Sequence, residues 1–327
     1  MNTEQNKRTK EGKNNMIENE AKKTNLFMLV MVLYIIFASL VYSSIIYLLS
    51  KHDIYFPLYI LIILSQFLIQ LIPFVLYFAY TKKKISDVLS FRNPGAANAL
   101  FILLMAVLCQ PVVMFLSAVG SLFFENRVTE LMSSMQTSTF STIIGILVIS
   151  ITPAIFEEFV YRGIILSGYK KAPVALAAVV SGLFFAVMHM NPQQFLYTFA
   201  LGCVFALVVH YTKSILSSML FHFLLNFIQS LLSALLSLIP SNSETAVVEY
   251  SFADRVSAVV SFGVIALIFA ALFIIVFKAF VKHNKRRSPQ TEQEEETEKF
   301  NIKSVLDVPF FSIISIYVLF IILQLTS

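Results

Sequence analysis

The sequence predicts an all-α, polytopic membrane protein built as a helix bundle, and three observations support that prediction. Of the 327 residues, 57% are hydrophobic and only 13% are charged, which departs strongly from the composition of soluble globular proteins. Apolar stretches recur along the whole chain, each long enough to cross a hydrocarbon core of about 30 Å as a helix. Most lysines and arginines fall between these stretches, as in membrane proteins.

The apolar stretches predict about nine transmembrane helices, with eight as the alternative. The approximate spans are Leu26–Leu49, Ile54–Tyr80, Ala97–Phe124, Phe140–Ser167, Ala172–Met190, Phe195–Tyr211, Ile215–Leu238, Val256–Phe277 and Val305–Leu325.

Charge divides the chain into four parts. Residues 1–24 are polar and are expected to form a disordered cytoplasmic tail. The first apolar run is longer than the core of a signal peptide, so it is expected to be an uncleaved span. Residues 25–281 form the membrane bundle, residues 282–303 a charged linker that changes from basic to acidic, and residues 304–327 a C-terminal transmembrane helix.

The positive-inside rule predicts the orientation of the bundle. If the N-terminus is cytoplasmic, alternate loops carry nearly all the lysines. With an odd number of spans, the C-terminus then lies outside.

Composition argues against two further classes of function. The net charge of +5 comes from residues between the spans, so we expect no nucleic-acid binding. The two cysteines, Cys109 and Cys203, lie in different predicted spans and are expected to pack as small apolar residues without a disulfide. The expected partners are membrane lipid and a peptide or protein substrate, and the oligomeric state stays unknown.

Ionisable residues lie inside the central spans, whereas the first three and last two spans have almost none at their centres. Such residues usually face a bundle interior or a wet cavity. They are Glu157, Glu158 and Arg162 in the fourth span, His189 in the fifth, His210 in the sixth and His222 in the seventh, where the polar amide Asn226 accompanies it. His210, beside a tyrosine and a lysine near a span end, is assigned a structural role.

Helical spacing separates the two glutamates. Glu158 and Arg162 are four residues apart and can form an ion pair on one helix face. Glu157 points elsewhere and has no such cation. A buried carboxylate without a cation suits a general base, so Glu157 is favoured over Glu158 as the reacting group.

Two further pairs with the same spacing complete the candidate site. His222 and Asn226 project from one face as neighbouring N–H donors, an arrangement that suits an oxyanion. His189 lies four residues after Phe185, and together with Glu157 it could hold and deprotonate a water. Structural readings stay open: the ion pair can brace two helices, and His or Asn can join helices by hydrogen bonds. Pro153 is expected to kink the fourth span and free a backbone carbonyl.

These three motifs resemble those of the CAAX-protease and bacteriocin-processing family, also called the Abi family, of intramembrane endopeptidases. They are Glu157-Glu158-x-x-x-Arg162, Phe185-x-x-x-His189 and His222-x-x-x-Asn226, on successive spans within a protease-like core of about residues 139–230. The resemblance implies a bacterial cell membrane and a hydrolase that cleaves a membrane-associated or lipidated protein or peptide.

The resemblance also implies roles for the residues. Glu157 with His189 would activate water, His222 and Asn226 would stabilise the oxyanion, and Arg162 would hold the site together. No cofactor is favoured, because a glutamate-activated water explains these residues. The alternative is a zinc ion held by Glu157, His189 and His222.

Helical rise leaves one difficulty, because His189 lies deeper than its partners when residues are counted from the loop lysines. Two other functions remain open. One is a non-catalytic membrane scaffold or bacteriocin-immunity protein that uses the same helices. The other is a proton-coupled transporter, disfavoured because the sequence shows no repeat.

Overall fold

A computed structural model of the chain describes residues 2–126, 138–238, 251–287 and 302–326. These residues form nine main helices and no strand. The helices are α1 (Asn2–Ser50), α2 (Leu58–Thr81), α3 (Ala96–Gly120), α4 (Thr139–Gly168), α5 (Val174–Met188), α6 (Phe195–Thr212), α7 (Ile215–Leu236), α8 (Phe252–Arg287) and α9 (Val308–Thr326). The predicted all-α helix bundle is therefore confirmed.

Eight of these helices are long and apolar enough to cross a membrane, in agreement with the lower predicted number. The predicted fifth span, Ala172–Met190, instead contains the shorter helix α5. Proline at position 173 starts α5, and a turn at His189 ends it. At about 1.5 Å per residue, this helix is about 22 Å long, shorter than the hydrocarbon core.

The helix ends differ from the predicted domain boundaries at two places. Helix α1 begins at Asn2, within the segment expected to be disordered. That segment contains no proline and many good helix formers, so it can continue the first span as helix. Helix α8 continues to Arg287, which makes the first part of the predicted linker helical. Residues 288–301 of that linker lie outside the described residues.

Hydrogen bonds bring the lysine-bearing loops together at one end of the bundle. The Ser90 hydroxyl donates to the Lys213 carbonyl at 2.8 Å, which joins the loops after α2 and α6. Asn98 and Asn284 exchange side-chain hydrogen bonds at 3.1 and 2.8 Å, which joins the start of α3 to the end of α8. Asn25 of α1 donates to the Val305 carbonyl just before α9. We call this the lysine-rich end; its cations are Lys82–Lys84, Lys170, Lys171, Lys213 and those of residues 278–287.

Two hydrophobic clusters fill the interior. The first packs α1, the end of α4, α5 and α9, with Met28, Ile164 and Phe184 fully buried. The second packs α3, α6, α7 and α8 around Met105 and Phe221. Cys109 and Cys203 are both unpaired, as predicted. Helices α4 to α7 meet where the two clusters adjoin, and this junction holds the ionisable residues.

Candidate active site

Arg162 lies at the junction of the two hydrophobic clusters and is 3% exposed. Its guanidinium is 4.3 Å from the ring centroid of Phe185 in the first cluster and 4.9 Å from that of Phe205 in the second. Guanidinium groups stack favourably on aromatic faces, and the effect grows when the site excludes water. The two rings therefore hold the Arg162 guanidinium between the two hydrophobic clusters.

A glycine contact between α5 and α6 gives Arg162 a further partner. A Cβ atom on Gly202 would lie 2.7 Å from the Cα atom of Gly182, closer than any real side chain allows. Because neither residue has a side chain, the two helices can approach closely. Arg162 donates from Nη2 to the buried carbonyl of Gly202 at 3.3 Å.

Glu158 is fully buried and joins two other site residues through one oxygen. Its Oε1 atom lies 3.0 Å from Arg162 Nη1, which confirms the predicted ion pair. The same oxygen lies 3.0 Å from His222 Nδ1. Glu158 therefore compensates the arginine and also holds the imidazole of α7 in one orientation, a second contact that helical spacing within α4 did not reveal.

His222 presents its other ring nitrogen to Glu157. The His222 Nε2 atom lies 4.0 Å from Glu157 Oε2. The ring stacks on Phe205 at 5.1 Å and meets the edge of Phe185 at 5.9 Å. With one nitrogen held by Glu158 and one face stacked on Phe205, Nε2 is the atom that is left for chemistry.

Glu157 differs from its neighbour in access and in partners. It is 8% exposed, whereas Glu158 is 0% exposed. Its Oε1 atom accepts a hydrogen bond of 3.3 Å from Gln66 Nε2 on α2. In the described part of the chain no lysine or arginine lies within ion-pair distance of it. As predicted, Glu157 is the carboxylate without a cation.

Further polar atoms near Glu157 have unused hydrogen-bonding capacity. Gln66 and Gln70 lie one helical turn apart on α2, and the Tyr161 hydroxyl lies beside the Gln70 side chain. The Oε1 atoms of both glutamines and the Tyr161 hydroxyl are buried without a hydrogen-bond partner among the described residues. Sequence reasoning did not assign these glutamines, although two amides at helical spacing in an apolar span are themselves a signal.

Asn226 contacts the carbonyl that Pro153 leaves without a partner. In an unbroken helix the N–H of residue 153 would donate to the carbonyl of Ile149, but proline has no N–H. Asn226 Nδ2 donates to that carbonyl at 3.3 Å. The carbonyl that Pro153 was predicted to free thus accepts a hydrogen bond from the Asn226 side chain. The second N–H of that amide remains for another acceptor.

His189 lies at the edge of this group. Its Nδ1 atom is 2.7 Å from the carbonyl of Phe185, and its ring meets the Phe185 ring at 4.8 Å. Among the described residues it makes no hydrogen bond to Glu157 or His222. On α5, the residue that packs against His222 is Phe185, one turn before His189. Phe185 separates the two imidazoles.

The zinc alternative can be compared with these positions. No three His, Cys, Asp or Glu side chains converge to hold a metal ion in the described ranges. Glu157, His189 and His222 therefore do not fit a three-ligand metal centre in this arrangement. His210, which was assigned a structural role, lies outside the group and packs against Tyr211.

Comparison with known proteins places part of the chain near one described family. Residues 139–228 match the family model described as type II CAAX prenyl endopeptidase Rce1-like. No curated protein and no solved structure matches the chain. The matched region begins with α4 and ends within α7, so it contains all three predicted motifs.

Proposed function

We propose that the chain is an intramembrane endopeptidase, because residues 139–228 match the family model of Rce1-like type II CAAX prenyl endopeptidases. The substrate class is a membrane-associated or lipidated peptide or protein. The observation that carries the proposal is the pairing of Glu157, a carboxylate without a cation, with the Nε2 atom of His222 at 4.0 Å. Both groups lie in a bundle whose helices have the length and composition of membrane spans.

The proposed reaction begins with a water activated by Glu157. Atoms 4.0 Å apart, as Glu157 Oε2 and His222 Nε2 are, can both hydrogen-bond one water. Glu157 takes a proton while the water oxygen adds to the scissile carbonyl carbon. The unused hydrogen-bonding capacity of Gln66, Gln70 and Tyr161 suits a site that holds water.

The remaining residues support the intermediate and its collapse. His222, doubly protonated between the two glutamates, donates its Nδ1–H to Glu158 and its Nε2–H to the oxyanion, and Asn226 adds its second amide N–H. The carbon–nitrogen bond then breaks, and Glu157 passes its proton to the leaving amine. His189, at the rim, orients the water or the substrate through its free Nε2 atom. Arg162 keeps Glu158 ionised and in place. The proposal uses no metal.

We further propose a bacterial cell membrane as the location, with the lysine-rich end in the cytoplasm. The lysine-bearing loops meet at that end, and cytoplasmic loops carry an excess of lysine and arginine. Helix α1 has Glu20 paired with Lys83 there, at 2.6 Å. The N-terminus is therefore proposed to be cytoplasmic.

A cleavage assay with purified full-length protein in vesicles tests the activity. The probes are membrane-anchored peptides, including a prenylated peptide that ends in a CAAX sequence and its unprenylated counterpart. We expect cleavage by the wild type and by Glu20→Gln, a control at an exposed carboxylate, and no cleavage by Glu157→Gln.

Two outcomes contradict parts of this proposal. Cleavage that a chelator abolishes and zinc restores would replace the metal-free reaction with a metal-dependent one. If Glu157→Gln and His222→Ala retained the full effect of the protein in cells, the chain would act as a scaffold or immunity protein instead.

A further inference from the structure

A groove of about 760 Å³ opens at the lysine-rich end between α6 and α8. Tyr211 of α6 forms one wall. The other wall, on α8, is apolar toward the membrane and basic toward the helix end. Its residues are Ile274, Phe277, Lys278, Val281, Lys282, Lys285 and Arg286. The groove lies outside the candidate active site, and all of its lining residues except Tyr211 follow the matched domain, which ends at residue 228.

The four cations of the groove share one helix face. Lys282, Lys285 and Arg286 follow Lys278 by four, seven and eight residues, which is the spacing of neighbours along one side of a helix. Helix α8 has 36 residues and is therefore about 54 Å long, far longer than a hydrocarbon core of about 30 Å. Its basic end extends past the hydrocarbon, and its apolar part stays within it.

Three cations of the groove differ in their ion pairing from Lys83, which lies at the same end of the bundle. Lys83 pairs with Glu20 at 2.6 Å. Among the described residues, no carboxylate lines the groove. Lys278, Lys282 and Arg286 are exposed and form no ion pair with any residue in the described ranges. These three side chains thus present positive charge beside an apolar surface.

We propose that this groove binds one anionic phospholipid from the leaflet at the lysine-rich end. The phosphate lies against Lys278, Lys282 and Arg286, and the first part of an acyl chain covers Ile274 and Phe277. Basic pockets between membrane helices bind anionic headgroups, and tyrosine is enriched at headgroup level. A free phosphate would satisfy the cations but would leave the apolar wall uncovered, so the lipid matches both parts of the groove.

Native mass spectrometry of the full-length protein in detergent tests this assignment. The probes are phosphatidylglycerol and phosphatidylcholine, titrated separately. The variant Lys278→Gln/Lys282→Gln/Arg286→Gln removes three groove charges. The control Lys82→Gln/Lys84→Gln/Lys171→Gln removes three exposed charges from other loops at the same end. A juxtamembrane cation strengthens anionic lipid binding by about fivefold.

We expect the wild type and the control to bind phosphatidylglycerol at least about tenfold more tightly than phosphatidylcholine. The groove variant should lose this preference, and inorganic phosphate should not displace the lipid. An equal loss in both triple variants would show diffuse attraction to surface charge and overturn the proposal. Displacement by phosphate would show an anion site instead.

The acidic run within residues 292–298 is the alternative occupant of the groove. Neutralising its glutamates to glutamine should leave phosphatidylglycerol binding unchanged. A gain of about tenfold or more would identify this run as the resident of the groove and overturn the assignment to lipid.

Discussion

The charged side chains on the two sides of the candidate site differ in their burial and in their partners. On the sealed side, formed by Glu158, Arg162 and Gly202, each charge contacts a partner and is buried. On the open side, formed by Glu157, Gln66 and His189, the carboxylate accepts a hydrogen bond from Gln66, lies 4.0 Å from the His222 imidazole and pairs with no lysine or arginine of the described residues. His222 connects them, with one ring nitrogen toward each glutamate.

This difference indicates that the residues that stabilise the site are not the residue that reacts. Burying ions is costly, and the cost is offset only where geometry and hydrogen bonds are good. Glu158 and Arg162 offset part of that cost by lying 3.0 Å apart as an ion pair, and two aromatic rings stack on the guanidinium. Glu157 has no lysine or arginine partner among the described residues, so its charge stays available for proton transfer. Substitutions on the sealed side should therefore lower stability, and substitutions at Glu157 should lower activity alone.

Removing the arginine should have the largest effect on stability. Arg162→Met leaves Glu158 buried without its cation, a change that typically costs about 3–5 kcal/mol. Thermal unfolding in detergent, followed by circular dichroism, should show a large fall in Tm. The double variant Glu158→Gln/Arg162→Met removes both charges and should lose less than Arg162→Met alone. If the double variant were the less stable of the two, the ion pair would not be the stabilising feature.

A methyl group at the glycine contact should have a smaller effect. Gly202→Ala places a Cβ atom 2.7 Å from Gly182 and pushes α5 and α6 apart, at a cost of about 1–3 kcal/mol. Gly263→Ala on α8 is the matched control, because the new Cβ atom would meet only a phenylalanine ring carbon, at 3.3 Å. Equal Tm values for the two variants would contradict the close helix contact.

The contact between Asn226 and the Ile149 carbonyl should have the smallest effect, about 1 kcal/mol. A double-mutant cycle isolates it. Asn226→Leu should destabilise the wild type, but Pro153→Ala supplies the missing N–H and should make the second change nearly neutral. Chemical unfolding of the four proteins gives the coupling. Additive effects would show that the amide does not compensate for the proline.

The sequence predicted the elements of the site better than their connections. Helical spacing alone separated Glu158 with Arg162 from Glu157, because both residues of the ion pair lie on one helix. The contacts of Glu158 with His222 and of Asn226 with Ile149 join different helices. Periodicity along one helix contains no information about which helix lies beside it, so these contacts required the structure.

Two differences in the fold have similar causes. Hydropathy marked Ala172–Met190 as a span, yet its helix is only 15 residues long and buried against α4 and α6. Composition cannot distinguish a short buried helix from one that faces lipid, since both are apolar. Polarity likewise favoured disorder before residue 24, although the same residues are good helix formers.

The most direct measurement of the central claim compares Glu157→Gln with the wild type in both stability and cleavage. The substitution keeps the shape of the side chain and its contact with Gln66 but removes the base. We expect an unchanged Tm and a loss of peptide cleavage of about 10²-fold or more. Cleavage within a few-fold of the wild type, or loss of activity only together with loss of folded protein, would contradict it.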